Sequence, residues 1–166
     1  MGPKIVVVTS SEVSDFPGYL SCYAMVMSSD DDTSVEISRV VISKIQGSSF
    51  TGTGDLSAAL LLGWTDILER STPEQRLRSS ELGIALRNTL ESVQAALRRT
   101  VVKTARMLKA GPVVASEHQH RAYRVKATEL CLVESRFDIM TPPRVLSSLE
   151  SSNGDVVSQW KASLEE

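Results

Sequence analysis

Short apolar runs near the amino terminus predict three β-strands. Residues 5–8 are a continuous β-branched run, which is typical of a strand buried on both faces. Residues 19–26 and 35–45 alternate between apolar and polar side chains, as strands with one exposed face do. The acidic segment 28–34 lies between these two runs, so we expect them to form an antiparallel hairpin. Its three consecutive acids fit a solvated hairpin tip, with a metal site as the alternative: Asp30, Asp31 and Asp32.

Two longer apolar patterns follow the strands and predict helices. Residues 56–68 are apolar on most sides, which predicts a helix buried within a layered domain. In residues 72–109, leucines and valines recur at steps of three and four, so we expect an amphipathic helix that covers a sheet. Its charged side chains are expected to form a solvated face. The residues at its two ends favour helix caps: Thr72, Pro73, Gln75, Gly111 and Pro112.

The remaining part of the chain carries weaker patterns. His118 and His120 lie in a predicted linker, and the alternative that they bind a metal lacks a third ligand. Residues 126–134 alternate and predict a further strand, and residues 138–143 predict a turn. From Ser147 onward serine and glutamate dominate, which predicts a frayed helix or a disordered tail.

Composition is that of an ordinary globular domain. The chain has 166 residues, of which 42% are hydrophobic and 23% charged, and its formal net charge is −2. This balance indicates neither a nucleic-acid surface nor a membrane-binding patch. Cys22 and Cys131 lack metal-ligand spacing and predict free thiols in a reducing compartment. No apolar run is long enough for a signal sequence or a membrane span, so a cytoplasmic location is the default expectation.

The segment with the clearest chemical pattern is Phe50-Thr51-Gly52-Thr53-Gly54-Asp55, directly before the first predicted helix. Glycines permit a tight turn and the close approach of an anion, and the first N–H groups of a helix lack internal partners. The turn could therefore cradle a phosphate, with Asp55 placed to take a proton from an attacking hydroxyl. In the simpler interpretation, Asp55 is a helix N-cap and the glycines only form a loop.

Hydroxyl side chains directly follow the first predicted strand. Thr9, Ser10 and Ser11 come after the apolar run, and α/β sheets bind ligands at the carboxyl ends of their strands. The alternative is that these residues only terminate the strand.

Residues 50–65, FTGTGDLSAALLLGWT, closely resemble the pyridoxal kinase family of the ribokinase superfamily. Three other segments resemble the family in the same order: the strand that ends in Thr-Ser, the helix 90–109, and the Glu-Leu, Val-x-Ser and Asp-Ile pattern of 129–139. The resemblance covers about residues 1–145 and corresponds to the carboxyl half of the family's domain, followed by a Ser/Glu-rich tail over 146–166. It implies an α/β class, a partial ribokinase-like three-layer fold. The truncated central sheet would be followed by the buried GTGD helix and the long amphipathic helix.

The resemblance also implies a reaction. Family members phosphorylate the 5′-hydroxymethyl group of pyridoxal with ATP, in the salvage of vitamin B6 to pyridoxal 5′-phosphate. Asp55 would be the catalytic base and would contact the substrate together with Gly52. Gly52, Thr53 and Gly54 would form the anion hole for the transferred phosphoryl group. Mg²⁺ would accompany ATP, and a monovalent cation such as K⁺ is a further candidate.

The ATP-binding residues implied by the resemblance are Thr9, Ser10, Ile45 and Thr53. Family members are about twice as long as this chain, and their pyridoxal-binding residues have no counterpart here. Two hypotheses therefore stay open: a pyridoxal kinase, or an inactive fragment that serves as a nucleotide-binding or dimerisation module. A related kinase for hydroxymethylpyrimidine is disfavoured by the helix after Asp55. The implied partners are pyridoxal, ATP and, in the full-length family, a second subunit. An unpaired edge is expected at residues 5–8.

Overall fold

A computed structural model describes seven segments of the chain: residues 4–12, 17–27, 35–45, 50–71, 79–111, 116–144 and 149–153. The chain divides into two compact units, which are described separately. The sheet unit comprises Met1–Lys44, Leu61–Asn88 and Val145–Glu166. The helical unit comprises Ile45–Leu60 and Thr89–Arg144. The acidic segment 28–34 and the predicted start of the second helix at residues 72–78 lie outside the described residues.

A four-stranded antiparallel sheet forms the sheet unit, with its strands in chain order. The strands are β1 (Ile5–Glu12), β2 (Tyr19–Met27), β3 (Val35–Ser43) and β4 (Leu149–Asn153). The predicted hairpin of β2 and β3 is confirmed, and Cys22 lies opposite Val40 in its register. Alternation explains this register, because one set of side chains is buried and the next is partly exposed. The buried apolar set is Cys22, Ala24, Val40 and Ile42.

The prediction that the first strand is buried on both faces is wrong. β1 lies at one edge of the sheet and pairs with β2 alone among the described strands. Ile5, Val6 and Val8 are 43%, 38% and 37% exposed, because no described strand covers the outer side of β1. The expected unpaired edge is therefore present.

Four helices complete the described chain: α1 (Thr53–Ser71), α2 (Ser79–Ala110), α3 (Glu117–Ala127) and α4 (Arg136–Met140). The first two were predicted. α2 ends where expected, since Gly111 adopts φ +69° and its N–H donates to the carbonyl of Met107 at 3.2 Å. A glycine with positive φ directly after the last helical residue is a common helix stop.

The predicted burial of α1 is wrong for this chain. Ser57 is the one residue of α1 that is buried, while Leu62 is 72% exposed and Ile67 is 53% exposed. A helix that is apolar on most sides needs cover on most sides. The described residues do not provide that cover.

Four predictions for the later part of the chain are also corrected. The predicted linker around His118 is the helix α3, which Ser116 caps by accepting the N–H of Gln119 at 3.4 Å. The predicted strand 126–134 is instead the end of α3 followed by a turn, because a short alternating run does not distinguish a strand from other buried structure. The predicted turn at 138–143 begins within α4, and the predicted tail contains β4.

Hydroxyl groups join α2 to the chain that follows it in the helical unit. The Thr100 Oγ1 donates to the carbonyl of Ala96 at 2.8 Å and accepts the N–H of Cys131 at 3.0 Å. The Ser92 Oγ donates to the carbonyl of Asp138 at 3.0 Å. Since Thr100 and Ser92 are fully buried, these bonds satisfy backbone groups that water does not reach.

Candidate active site

The GTGD sequence forms the turn that opens α1. Gly52 has φ +87°, a left-handed conformation that glycine adopts without steric cost. Its carbonyl accepts the N–H of Leu56 at 3.0 Å, which closes the first helical turn. The N–H groups of Thr53, Gly54 and Asp55 belong to the start of the helix, where intrahelical partners are absent. N–H groups at the start of a helix can bind an anion.

Asp55 is the third residue of α1 and lies in its first turn. The simpler interpretation of Asp55 as an N-cap is therefore wrong, since the helix has already begun at Thr53. Gly54 and Asp55 are exposed, while Gly52 and Thr53 are half-buried. A carboxylate here is favoured by the positive end of the helix dipole and remains accessible to a substrate.

Contacts from a distant part of the chain hold this turn. Thr51 forms a parallel β-bridge with Glu129. A Cβ on Gly52 would lie 4.0 Å from the Cδ1 of Leu130, an ordinary van der Waals distance. The sequence interpretation missed Glu129 and Leu130 as supports of the turn, because their distance along the chain leaves no local signal. Within the helix, the Ser57 Oγ donates to the carbonyl of Thr53 at 2.7 Å.

Thr9 and Ser10 lie in the sheet unit, inside β1 rather than after it. The register between β1 and β2 shifts between Val8 and Ser11, where β1 has one residue more than β2. Such a bulge bends the strand and redirects its side chains, and both side chains are exposed. The Cys22 thiol donates to the carbonyl of Thr9 at 2.7 Å. Burial raises the pKa of that thiol to about 12, so Cys22 supports the bulge as a neutral group.

Ile45 is half-buried and belongs to the helical unit, two residues after β3 ends. The structure thus brings four of the candidate residues together in one turn: Gly52, Thr53, Gly54 and Asp55. Thr9 and Ser10 belong to the other unit, so their part in nucleotide binding stays a prediction, as does that of Ile45.

The described segments contain no group of three or more His, Cys, Asp or Glu side chains placed to hold a metal ion. His118 is exposed on α3, and the three consecutive acids of residues 30–32 lie outside the described part of the chain. Both cysteines are buried free thiols, as predicted. In the segments that the structure describes, every helix is too short or too polar to cross a membrane.

Comparison with known proteins gives consistent results. No family model matches the chain. The pyridoxal kinase of Sus scrofa is 31% identical over 156 residues, a match that covers 89% of this chain and 41% of that protein. The pyridoxal kinase of Ovis aries is 31% identical over 153 residues, with 89% and 42% covered. This chain is similar to pyridoxal kinases over most of its own length. It spans about two-fifths of the length of these kinases, which agrees with the expected match to part of the family's domain.

Solved structures support the fold. Pyridoxal kinase from Leishmania donovani, in complex with ADP and ginkgotoxin, matches with a TM-score of 0.63 and 17% identity over 91% of this chain and 39% of that chain. The same enzyme with ADP and pyridoxine gives a TM-score of 0.62 at 18% identity, covering 91% of this chain and 38% of that chain. The described chain therefore has the partial pyridoxal-kinase fold that the sequence resemblance implied.

Proposed function

We propose that this chain carries the phosphoryl-transfer turn of a pyridoxal kinase, which phosphorylates the 5′-hydroxymethyl of pyridoxal with ATP. The observation that carries the proposal is the turn itself: Gly52 at φ +87° directly before the start of α1, and the exposed Asp55 in its first turn. Similarity to pyridoxal kinases over 89% of the chain supports the assignment of substrate and reaction.

Each part of the turn has a role in the proposed reaction. Phosphoryl transfer requires positioning and charge neutralisation, and N–H donors aimed at the transferred group supply both. Gly52, Thr53 and Gly54 would form this anion hole, with Thr53 also contacting ATP. Asp55 would accept the proton of the attacking alcohol and would contact the substrate together with Gly52. A positioned general base contributes about 10²–10⁴-fold to the rate.

ATP and Mg²⁺ complete the proposal. Mg²⁺ at kinase sites is held by one or two carboxylates together with the phosphates of the nucleotide. Mg²⁺ would arrive with ATP, and no residue of this chain is assigned as its ligand, because Asp55 acts as the base. Thr9, Ser10 and Ile45 would contact the nucleotide, in a reducing, cytoplasmic setting.

A second candidate function rests on the exposed surfaces of the sheet unit. The unpaired edge of β1 and the exposed apolar side chains of α1, such as Leu62, suit a chain that pairs with another polypeptide. In this alternative the chain is a nucleotide-binding or dimerisation module without turnover.

The decisive experiment measures ATP binding and pyridoxal-dependent ADP release for the 166-residue chain and its variants. We expect turnover well below that of full-length pyridoxal kinases. Asp55→Asn should lower kcat at least about 100-fold with little change in ATP affinity, since the carboxylate acts as a base. Turnover that is unchanged in Asp55→Asn refutes this role.

Two further outcomes separate the candidates. ATP binding without pyridoxal-dependent ADP release supports the binding module over the kinase. Absence of both refutes the kinase and the nucleotide-binding module, and a chain that also stays monomeric in analytical ultracentrifugation refutes the dimerisation module. Gly54→Ala is the companion variant, because a methyl group there meets no protein atom within 4 Å yet occupies the approach of the anion. We expect it to fold normally and to lose ATP affinity and turnover.

A further inference from the structure

One stretch of the helical unit is strongly basic although the whole chain is slightly acidic. Residues 98–126 contain eight lysine and arginine side chains and one glutamate, in a chain of formal net charge −2. No aspartate or glutamate occurs between Glu91 and Glu117. The second half of α2 therefore carries an excess of positive charge. The sequence pattern alone predicts only that these charged side chains form a solvated face.

A groove concentrates this charge. It has a volume of about 600 Å³ and lies between the second half of α2 and the segment that contains Cys131 and Glu134. Arg98, Lys103 and Arg106 line it and form no ion pair or hydrogen bond within the part of the chain that the structure describes. Small-molecule sites typically occupy about 300–1,000 Å³, so the groove is large enough to hold a ligand.

These cations occupy successive turns of the second half of α2. Arg98 and Arg106 are eight residues apart, which corresponds to about 12 Å along α2. Lys103 lies between them. The side chains of Val102 and Met107 provide apolar walls in the same groove. A row of cations with apolar flanks matches a ligand whose negative charges are also arranged in a row.

A fourth cation is already paired. The Arg99 Nη2 lies 2.8 Å from the Oδ2 of Asp138, and this contact raises the pKa of Arg99. Asp138 is thereby neutralised, which leaves Glu134 as the acidic side chain in the groove. Three unpaired cations against one carboxylate leave an excess of positive charge.

Favourable interaction with the helix dipole does not explain the whole row. The negative end of the dipole attracts cations within the last turn, and α2 ends at Ala110. Arg98 and Lys103 lie at least seven residues before that end. Stacking on nucleic-acid bases is also disfavoured, because none of the described residues that line the groove is aromatic.

We propose that this groove binds a small molecule that carries a di- or triphosphate chain, at a site separate from the GTGD turn. Arginine guanidinium groups match phosphate oxygens in pairs, and lysine adds a point charge between them. The ligand can be an inorganic polyphosphate or a nucleotide, since both present the same anionic chain. The proposal does not depend on kinase activity.

The test is calorimetric titration of the 166-residue chain with inorganic triphosphate, ATP and orthophosphate. We expect saturable binding of triphosphate, and weaker binding of orthophosphate because it reaches fewer cations. In Gly54→Ala, whose turn is blocked, comparable affinity for ATP and triphosphate indicates recognition of the phosphate chain alone, and tighter binding of ATP indicates a nucleotide. Both results support the proposal, whereas equal affinity for orthophosphate and triphosphate overturns it.

Three single variants neutralise the row: Arg98→Gln, Lys103→Gln and Arg106→Gln. Each variant should bind triphosphate about tenfold more weakly or worse, since a hydrogen bond to a charged group contributes about that factor to affinity. Lys109→Gln is the matched control, because it removes the same charge from the same helix outside the groove. An equal loss in Lys109→Gln shows general charge attraction and overturns the proposal. Glutamine favours helix, and far-UV circular dichroism verifies folding.

Gly54→Ala separates the groove from the GTGD turn. Triphosphate binding that survives in Gly54→Ala and falls in the groove variants supports the groove. The reverse pattern places triphosphate at the turn, which overturns this proposal while supporting the proposed function. A single-stranded RNA that binds tighter than triphosphate and displaces it overturns the small-molecule assignment in favour of a nucleic-acid surface.

Discussion

Gly52 and Gly54 provide a direct test of the GTGD turn, because the structure gives the two glycines different reasons to be glycine. Gly52 has φ +87°, whereas Gly54 lies within α1. The Cβ of an alanine at Gly52 would meet one atom at 4.0 Å, so there is no steric collision. The cost of this substitution comes from the backbone conformation. Holding a residue with a Cβ in the left-handed region costs about 1–2 kcal/mol.

The opposite result is expected at Gly54. An added Cβ there meets nothing within 4 Å, and alanine is favoured over glycine in a helix by up to about 1 kcal/mol. The two alanine variants should therefore differ in sign, although they lie two residues apart and add the same methyl group.

Native-state hydrogen exchange of the Leu56 amide is the local assay, because this N–H donates to the Gly52 carbonyl at 3.0 Å. Gly52→Ala should increase its exchange about 5- to 30-fold, the factor that corresponds to one or two kcal/mol. Gly54→Ala should leave exchange unchanged or slower. Urea denaturation measures any global effect. Equal protection of Leu56 in Gly52→Ala and the parent chain would refute the strained-turn argument.

Three further results are expected. Thr100→Val should destabilise the fold by about 1–3 kcal/mol in urea denaturation, because the buried N–H of Cys131 loses its acceptor; Thr100→Ser keeps the hydroxyl and should cost clearly less, and equal losses would contradict the hydrogen-bond argument. Lys44 lowers the pKa of Glu12 from its ordinary value of 4.5 by a hydrogen bond and by its charge. The pair therefore stabilises the fold above pH 4.5, and this contribution is lost as pH falls through the lower folded pKa. An NMR titration of Lys44→Gln should show the pKa of Glu12 return toward 4.5. An unchanged pKa would show that Lys44 is not the cause of the shift. The pKa of Cys22 is raised from 9.0 to about 12 by burial, so its contribution to stability is complete below pH 9 and lost as pH rises toward 12. Mass spectrometry after iodoacetamide treatment at about pH 8 should find Cys22 alkylated in urea and unmodified without it, because the folded thiol is neutral and buried; rapid alkylation of the folded chain would contradict its burial.

Local patterns were sufficient for the hairpin, the existence of α1 and the end of α2. Alternation over β2 and β3 determines which side chains face inward, and Gly52 and Gly111 have conformations that their neighbours in sequence already suggested. In each case the information lies within a few residues of the feature. The four residues of the GTGD turn were identified for the same reason.

The remaining errors occur where distant contacts decide the structure. Residues 126–134 alternate like a strand, yet the Oγ1 of Thr104 donates to the carbonyl of Ala127, and the hydroxyl of Tyr123 donates to the carbonyl of Met107 at 2.6 Å. These bonds hold α3 against α2, and no sequence pattern within α3 predicts them. The burial predicted for β1 and α1 is not observed, because the described residues do not cover their apolar side chains. Whether cover is present depends on other polypeptide, which the residues of those segments do not encode.

Because the edge of β1 is unpaired in the described sheet, the assembly state of this chain depends on its concentration. Pairing of two such edges depends on the square of concentration, while folding of the chain alone does not depend on concentration at all. A dilute population and an abundant one can thus contain different assemblies of the same sequence. Expression level, and not sequence alone, would then determine how often the GTGD turn meets its substrate on an isolated chain.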